Sequence, residues 1–171
     1  SLVAILDADK EGFLRSEGLL KAREELARVV VAKDGRQVRV CTRGAREIKA
    51  DPAGRTLASS GARGIGAAEP VSPLALSLDD AVRVTPEAVF SLLARFLEQA
   101  DLHARTGGTH AAALVRGGEI LVVREDIGRH NTIDMLGGHA LLHDLNCRET
   151  FIIRTGRVSA EIVQKVRRLG V

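Results

Sequence analysis

The chain has few aromatic residues. Of its 171 residues four are Phe, and Trp and Tyr are missing, so the apolar core must be built from Leu, Val, Ile and Ala. Proteins that bind single-stranded nucleic acid stack the bases on aromatic side chains, so the composition argues against a nucleic-acid partner. The 45% hydrophobic content can supply a buried core, and the length suits one domain with a smaller lobe.

Cysteines are also scarce. Cys41 and Cys147 form neither a C-x-x-C pair nor a Cys/His pattern typical of zinc sites, and their low number favours a reducing compartment. A lone cysteine is more often a small buried hydrophobe than a nucleophile. His139 and His143 have a spacing compatible with a metal pair, but no third ligand is evident. The sequence therefore predicts no zinc, and a solvent-facing or capping role for the two histidines.

The sequence lacks long apolar runs and charge of one sign. Its longest apolar runs, such as Leu2 to Leu6 and Ala111 to Val115, are far shorter than the roughly 20 residues that span a bilayer. No signal-peptide pattern is present. The 25 basic and 22 acidic residues are intermixed and give a net charge of +3. The composition predicts no membrane partner and favours an anionic ligand weakly.

The apolar patterns predict an α/β protein in two parts. Residues 1–75 are predicted to form a small α+β lobe, which begins with a strand at Leu2 to Leu6 and includes a helix leading into a strand within 12–31. A further strand is expected near Val38, and a glycine-rich loop from Ser59 to Gly66. Residues 82–171 are predicted to form the second lobe, with the order α-β-β-α-β-α.

The second lobe is predicted to start with a helix. Thr85 provides a capping hydroxyl and Pro86 suits the first helical position, and the helix is expected to reach about His103. A hairpin with a Gly117-Gly118 turn, a helix over 131–142, a strand at 151–153 and a helix capped by Ser159 follow. The residues expected on inward faces of the two outer helices are Val89, Leu92, Leu93, Phe96, Leu97, Ile162, Val163, Val166 and Leu169.

Polar residues gather where strands are predicted to end. The clusters are Thr106 to His110, Glu125 to Asn131, Asp134, and Arg154 to Ser159. Ligands of α/β sheets bind at such edges, because helix N-termini present N–H groups and glycines let the backbone approach closely. A phosphate-bearing ligand would suit Arg129 and Arg157. Each cluster alone is also compatible with ordinary turn chemistry, but the run from Glu125 to Asn131 is denser than helix capping requires.

Four segments together resemble the signature of the FdhD-type formate dehydrogenase accessory proteins. They are Gly12 to Gly18 (G-F-L-R-S-E-G), Thr106 to Ala112 (T-G-G-T-H-A-A), Glu125 to Asn131 (E-D-I-G-R-H-N) with Asp134, and Gly156 to Ser159 (G-R-V-S) with Glu161 and Lys165. The order and density of these motifs make the resemblance specific, and it spans nearly the whole chain.

The resemblance implies a fold and a function. The second lobe should be similar to the cytidine-deaminase fold, a three-layer arrangement with a mixed sheet between helices, without that family's zinc ligands. Members of the family are cytoplasmic homodimers that carry sulfur from a cysteine desulfurase to the molybdenum bis-molybdopterin guanine dinucleotide cofactor of formate dehydrogenase. The cofactor-binding residues so implied are Thr109, His110, Glu125, Asp126, Arg129, His130, Asn131, Asp134, Arg157 and Ser159.

The sequence departs from the family pattern at two places. Gly61 stands where the family's loop has its persulfide cysteine, and Gly64 stands at the second cysteine. The family also continues past Val171 through a further strand, a helix and a tail, so the chain is expected to be truncated at its C-terminus. Two functions therefore stay open: a sulfur carrier that uses Cys41 or Cys147, or a non-catalytic homologue that binds the cofactor or a guanine nucleotide without transferring sulfur.

Overall fold

The computed structural model describes residues 12–33, 38–43 and 82–171. Three features predicted from the sequence lie outside these residues. They are the strand at Leu2 to Leu6, the glycine-rich loop from Ser59 to Gly66, and the junction between the two predicted lobes at 76–81.

The described residues form five helices and five strands. The helices are α1 (residues 12–16), α2 (Pro86–Gln99), α3 (Asp101–Thr106), α4 (Arg129–Leu142) and α5 (Ala160–Leu169). The strands are β1 (Leu26–Val31), β2 (Val38–Thr42), β3 (His110–Arg116), β4 (Glu119–Asp126) and β5 (Thr150–Arg154), and a short 3-10 turn spans Arg23–Glu25. The α-β-β-α-β-α order predicted for residues 82–171 is confirmed, except that the first helix is divided into α2 and α3.

The strands pair in two small sheets. β1 and β2 form an antiparallel pair, and the second sheet has the order β4-β3-β5. Both neighbours of β3 run antiparallel to it, so every strand pair in the described part of the chain is antiparallel, unlike the mixed sheet that was predicted. The two parallel strands, β4 and β5, are connected by α4, but they do not pair with each other because β3 lies between them. Gly117 and Gly118 make the β3–β4 turn with φ of 54° and 85°, as the hairpin prediction required.

Helices cover both faces of the β4-β3-β5 sheet. Successive side chains of a strand point to opposite faces. Ala111, Ala113 and Val115 pack with α2, whereas Ala112 and Leu114 pack with α4 and α5. This part of the chain is therefore layered as helix, sheet and helices.

α4 is buried on most sides, because it lies between the sheet, α1 and α5. Ten of its 14 residues are buried. Gly137 permits the close approach of α5, since a Cβ built there would lie 2.6 Å from a methyl carbon of Leu169. No helix in the described part of the chain is long and apolar enough to span a membrane.

The first predicted helix differs from the structure in its inward face. Thr85 caps it as predicted and accepts a hydrogen bond from the amide of Ala88 at 3.3 Å. Leu92 and Phe96 are buried, but the prediction is wrong for Val89, Leu93 and Leu97, which are 42%, 37% and 42% exposed. These three side chains are exposed because α2 packs on a sheet of three described strands through one line of residues spaced four apart. The helix also ends earlier than predicted, at Gln99, and α3 follows it.

The inward face of α5 also differs from the prediction. Ile162 and Leu169 are buried as expected and Val166 is partly buried, but Val163 is 46% exposed and Lys165 is buried in its place. Lys165 is accommodated because carboxylates of α4 and of the residues after α1 surround its ammonium group. The apolar pattern alone could not predict this burial, since it depends on partners far away in the sequence.

Candidate functional site

The polar turns predicted as a ligand site do meet at one edge of the sheet. His110 at the start of β3 is the register partner of Asp126 at the end of β4, and Ala112 is the partner of Arg154 at the end of β5. Because β4 and β5 both run antiparallel to β3, their carboxyl ends lie beside its amino end. We call this region the strand-end edge; it comprises residues 109–110, 125–131 and 154–159.

Asp126 organises the turn into α4. Its Oδ1 accepts hydrogen bonds from the Gly128 amide at 2.6 Å and from the Asn131 side-chain amide at 2.8 Å. The Thr132 hydroxyl donates to the carbonyl of Arg129 at 3.0 Å. These bonds fix the first turn of a 14-residue helix whose N-terminal dipole favours an anion. Asp126 and Asn131, both predicted to contact the cofactor, thus hold the shape of the turn.

Glu125 has a capping role in the structure. Its two carboxylate oxygens accept from the backbone amides of His103, at 2.6 Å, and Leu102, at 3.1 Å. The His103 ring also links α3 to the residue before β3, because its Nδ1 lies 2.5 Å from the Thr109 carbonyl oxygen. The negative charge of Glu125 is therefore stabilised by the backbone N–H groups at the start of α3.

Arg154 is a site residue that was not among the predicted ligand contacts, although it belongs to the predicted polar cluster from Arg154 to Ser159. It donates from Nε to the Thr155 carbonyl at 3.1 Å and from Nη2 to the Arg129 carbonyl at 3.4 Å. Its Nη1 is buried without a hydrogen-bond partner among the described residues. Burial, and then the nearby Arg129, lower the pKa of Arg154. The unsatisfied donor and the two close cations make this point of the edge favourable for an anion.

His110 lies beside the turn that follows β5. Gly156 has φ +82°, and a Cβ built on it would lie 2.8 Å from Nδ1 of His110, so only glycine fits against this ring. Burial, followed by the charges of Arg154, Arg129 and His103, lowers the pKa of His110. The lowered pKa favours the neutral form of the imidazole, so the positive charge of the edge comes mainly from the arginines. The nearby Thr109 hydroxyl oxygen is buried without a partner among the described residues.

The remaining predicted site residues fall into different places. His130 is buried in the first turn of α4, and Arg157 is exposed in the turn after β5. Ser159 is the N-cap of α5 by position, but its side chain makes no capping hydrogen bond, contrary to the prediction. Asp134 is not at the strand-end edge, because it lies in the interior between α4, α1 and α5.

The two cysteines differ in environment. Cys147 is buried before β5, and burial, only partly offset by Arg15, raises the pKa of its thiol. A protonated, buried thiol is a poor nucleophile. Cys41 lies on β2 with intermediate exposure. Of the two thiols that could replace the family's loop cysteine, Cys41 is the more accessible.

His139 and His143 are in contact at the far end of α4, with their rings tilted by 41°. Their ring centroids are 4.2 Å apart, and Nη2 of Arg124 on β4 lies 3.3 Å from Nδ1 of His139. Burial, then the charges of His143 and Arg124, lowers the pKa of His139 to about 4. Among the described residues no group of three or more His, Cys, Asp or Glu side chains could hold a metal ion.

This arrangement predicts acid sensitivity. His139 titrates near 6.5 in the unfolded chain and near 4 in the folded one, so acidification through that window protonates the unfolded state first. The free energy of unfolding should therefore fall as the pH is lowered, most steeply between about pH 6 and 5. Urea denaturation at several pH values would measure it, and His139→Gln should make the slope shallower. An unchanged slope in His139→Gln would contradict the assignment.

Comparison with known proteins supports one family. The FdhD/NarQ family model matches residues 6–171. Two proteins called "Sulfur carrier protein FdhD" align with nearly all of the chain. The one from Streptomyces coelicolor is 34% identical over 94% of this chain and 62% of its own length. The one from Shouchella clausii is 32% identical over 93% of this chain and 61% of its own length.

Other relatives align over a shorter range. A protein of the same description from Bacillus licheniformis is 40% identical over 92 residues, which are 54% of this chain and 35% of that protein. The chain thus spans between about a third and three fifths of the length of these relatives.

The fold has a solved counterpart. A crystal structure from Desulfotalea psychrophila, described as a candidate formate dehydrogenase accessory protein, superposes with a TM-score of 0.68 at 23% identity, over 97% of this chain and 61% of that one. This likeness concerns the fold, whereas the family model covers nearly every residue of the chain. The chain belongs to the FdhD/NarQ family.

Proposed function

We propose that this chain serves as a formate dehydrogenase accessory protein, and that its strand-end edge holds the phosphate groups of the molybdenum bis-molybdopterin guanine dinucleotide cofactor. The observation that carries the proposal is the unsatisfied, buried Nη1 of Arg154 beside Arg129. A buried guanidinium donor without a partner is costly, and a phosphate oxygen supplies the charge and the acceptor that it needs. The names of the relatives supply the biological setting.

The surroundings of Arg154 also suit a phosphate. Arg129 and Arg157 add positive charge on the turns after β4 and β5. The first turns of α4 and α5 direct backbone N–H groups to the same edge. Gly156 lets the turn after β5 pack against the ring of His110, because a Cβ there would lie 2.8 Å from its Nδ1.

Two exposed apolar side chains flank these cations and suit the base of a nucleotide. Ile127, in the turn after β4, is 81% exposed, and Val158, in the turn after β5, is 65% exposed. Such exposure is unfavourable for aliphatic side chains in water, and contact with the flat face of a guanine ring would relieve it. A ligand with both phosphates and a purine therefore matches the edge better than inorganic phosphate does.

Calorimetric titration with GDP tests this proposal. Arg129→Ala and Arg157→Ala are each expected to weaken GDP binding about tenfold or more, since each removes one charge-assisted contact to phosphate. Arg148→Ala, a change at an exposed arginine just before β5, at the opposite end of the sheet, should leave the affinity unchanged. Guanosine should bind far more weakly than GDP. If both edge variants bound GDP like the unchanged protein, the site assignment would be wrong.

A sulfur-carrier role is the second candidate, and the names of the relatives favour it. In this form of the proposal the Cys41 thiolate attacks the outer sulfur of a persulfide on a cysteine desulfurase, whose own cysteine leaves as the thiolate. Cys41 is the acceptor because Gly61 occupies the family's cysteine position and Cys147 is buried. Mass spectrometry of the intact chain after incubation with a desulfurase and cysteine should show a reducible gain of one sulfur, lost in Cys41→Ser but kept in Cys147→Ser. If the unchanged chain gained no sulfur, the alternative would remain: a non-catalytic homologue that binds the cofactor without transferring sulfur.

Further parts of the proposal come from the family resemblance. They are a cytoplasmic location, a homodimer, a cytidine-deaminase-like fold for the second lobe, and formate dehydrogenase as the client that receives the cofactor. The helix, sheet and helix layering of residues 82–171 is compatible with that fold. Size-exclusion chromatography with light scattering would test the dimer directly.

A further inference from the structure

A cavity of about 140 Å³ lies at the opposite end of the sheet from the strand-end edge. It is bounded by residues 15–24 on one side, and by the end of α4, the segment leading to β5, and α5 on the other. The residues that line it come from these segments and include four buried apolar side chains and several charged ones. None of them belongs to the site proposed above.

The cavity has an apolar floor and a charged rim. Ala140, Leu141, Cys147 and Leu169 are at most 7% exposed and form the floor. The rim carries charges of both signs on exposed side chains, namely Lys21, Arg23, Glu24 and Asp144. The apolar surface and the charges are thus divided as they are in an amphipathic binding site, where a few polar groups orient a ligand against apolar walls.

The rim charges do not compensate one another. The ion pairs among the described residues connect Asp101 with Arg105, or Lys165 and Arg168 with carboxylates of the interior, and they include none of the four rim side chains. Because these acidic and basic side chains do not pair with one another, both the positive and the negative charges of the rim can interact with a ligand.

Asp144 lies where a cationic group of a ligand would be favoured. It follows the last turn of α4, where the helix dipole is negative and a basic residue would be favoured. It is also the non-glycine residue of the described chain with positive φ, 52°, a conformation that aspartate tolerates at a cost. An ammonium group next to Asp144 would offset the repulsion between its carboxylate and the carbonyl end of α4.

We propose that this cavity binds a small zwitterionic amphiphile of the α-amino acid class. The carboxylate would face Lys21 and Arg23, the ammonium group would face Glu24 and Asp144, and a short apolar side chain would lie on the floor. The size agrees, because an apolar cavity of about 150 Å³ holds a molecule as large as benzene. The proposal is independent of the strand-end edge and of its ligand.

Calorimetry on the full 171-residue chain with three matched probes tests the proposal. L-norvaline carries both charges, pentanoate lacks the ammonium group, and norvalinamide lacks the carboxylate, while all three keep the same apolar tail. Norvaline is expected to bind about tenfold more tightly than either of the others, because each of them loses one ionic contact. Equal affinity for pentanoate or norvalinamide, or no binding of norvaline in the millimolar range, would overturn the proposal.

Variants at the rim locate the site. Asp144→Asn, which keeps a residue that tolerates the left-handed conformation, should weaken norvaline about tenfold and leave pentanoate unchanged. Arg23→Gln should weaken norvaline and pentanoate alike. Arg28→Gln, an exposed arginine on β1 outside the cavity, should change neither. If Asp144→Asn and Arg23→Gln bound norvaline like the unchanged chain, the ligand would be bound elsewhere and the assignment would be wrong.

Discussion

Replacing Lys165 by Met is expected to lower the free energy of unfolding by about 3–5 kcal/mol, since it removes one partner of a buried ion-pair network. The Lys165 ammonium group lies 2.8 Å from Oδ1 of Asp134 and 3.2 Å from a carboxylate oxygen of Glu17, and all three side chains are at most 7% exposed. It also donates to the Ser16 hydroxyl oxygen at 3.1 Å and lies 5.0 Å from the centre of the Phe13 ring.

The cost arises because Asp134 would stay in the interior without its cation, and Glu17 would keep only Arg168, whose Nη1 lies 4.0 Å from its carboxylate. Desolvation already raises the pKa of Asp134, and Lys165 is the main group that opposes this shift. In Lys165→Met the native carboxyl would hold its proton to still higher pH. The stability deficit should therefore be largest at neutral and higher pH and should shrink as the pH falls through the raised native pKa, where the folded state takes up the proton.

The exposed ion pair between Arg105 and Asp101 provides a matched control. Its side chains are about 70% exposed, so Arg105→Met should cost at most about 0.5 kcal/mol. Urea denaturation of both variants measures the difference. A similar small loss in both would mean that Lys165 does not support the packing of α1 against α4 and α5.

Gly12→Ala is the second change with a large expected effect, a loss of about 3 kcal/mol or more. A Cβ built on Gly12 would lie 1.6 Å from the carbonyl oxygen of Asp134 and 2.8 Å from the amide nitrogen of Gly138. Both atoms belong to the backbone of α4, so no side-chain rotation relieves the overlap. α1 would have to move away from α4, and the bond between Ser16 and Asp134 would break with it.

Gly108→Ala separates this effect from the general cost of replacing glycine. Around Gly108 the nearest atoms would be 3.8 Å from an added Cβ, and its φ is outside the left-handed region, so the change should stay within about 0.5 kcal/mol. Thermal or urea unfolding compares the two variants. If Gly12→Ala were as mild as Gly108→Ala, the close contact between α1 and α4 would be wrong.

Local signals in the sequence were enough for several elements. The Thr85-Pro86 start of α2 and the Gly117-Gly118 turn were predictable, because each depends on the conformational preference of the residues themselves. The meeting of the turns after β4 and β5 at one edge was predictable too, since polar clusters after strands favour that placement.

Long-range contacts were not predictable in the same way. The burial of Lys165 depends on Ser16 and Glu17, about 150 residues earlier in the chain. Asp134 was assigned to the ligand site from its motif, yet the structure places it in this interior network. A motif identifies residues that occur together in a family, and it does not separate those that touch a ligand from those that support the helix carrying the site.

Glu125 and Arg154 illustrate the same limit within the strand-end edge. Both lie beside predicted turns, and sequence alone gave more weight to Glu125. In the structure Glu125 is satisfied by the amides of Leu102 and His103, while Arg154 keeps an unsatisfied buried donor. The difference depends on the break at Ala100, which turns the start of α3 toward Glu125 and has no clear signal in the sequence.

A strand-end edge that holds a phosphate-bearing guanine nucleotide should respond to GDP along its own backbone. The most direct measurement is backbone amide NMR of the isotopically labelled chain during titration with GDP. We expect saturable shifts of amides in the turns after β4 and β5, above all Gly128, Thr155 and Gly156, with much smaller shifts for the same residues when guanosine is used. Shifts confined to other parts of the chain, such as residues 140–147, or no saturable shift at all, would contradict it.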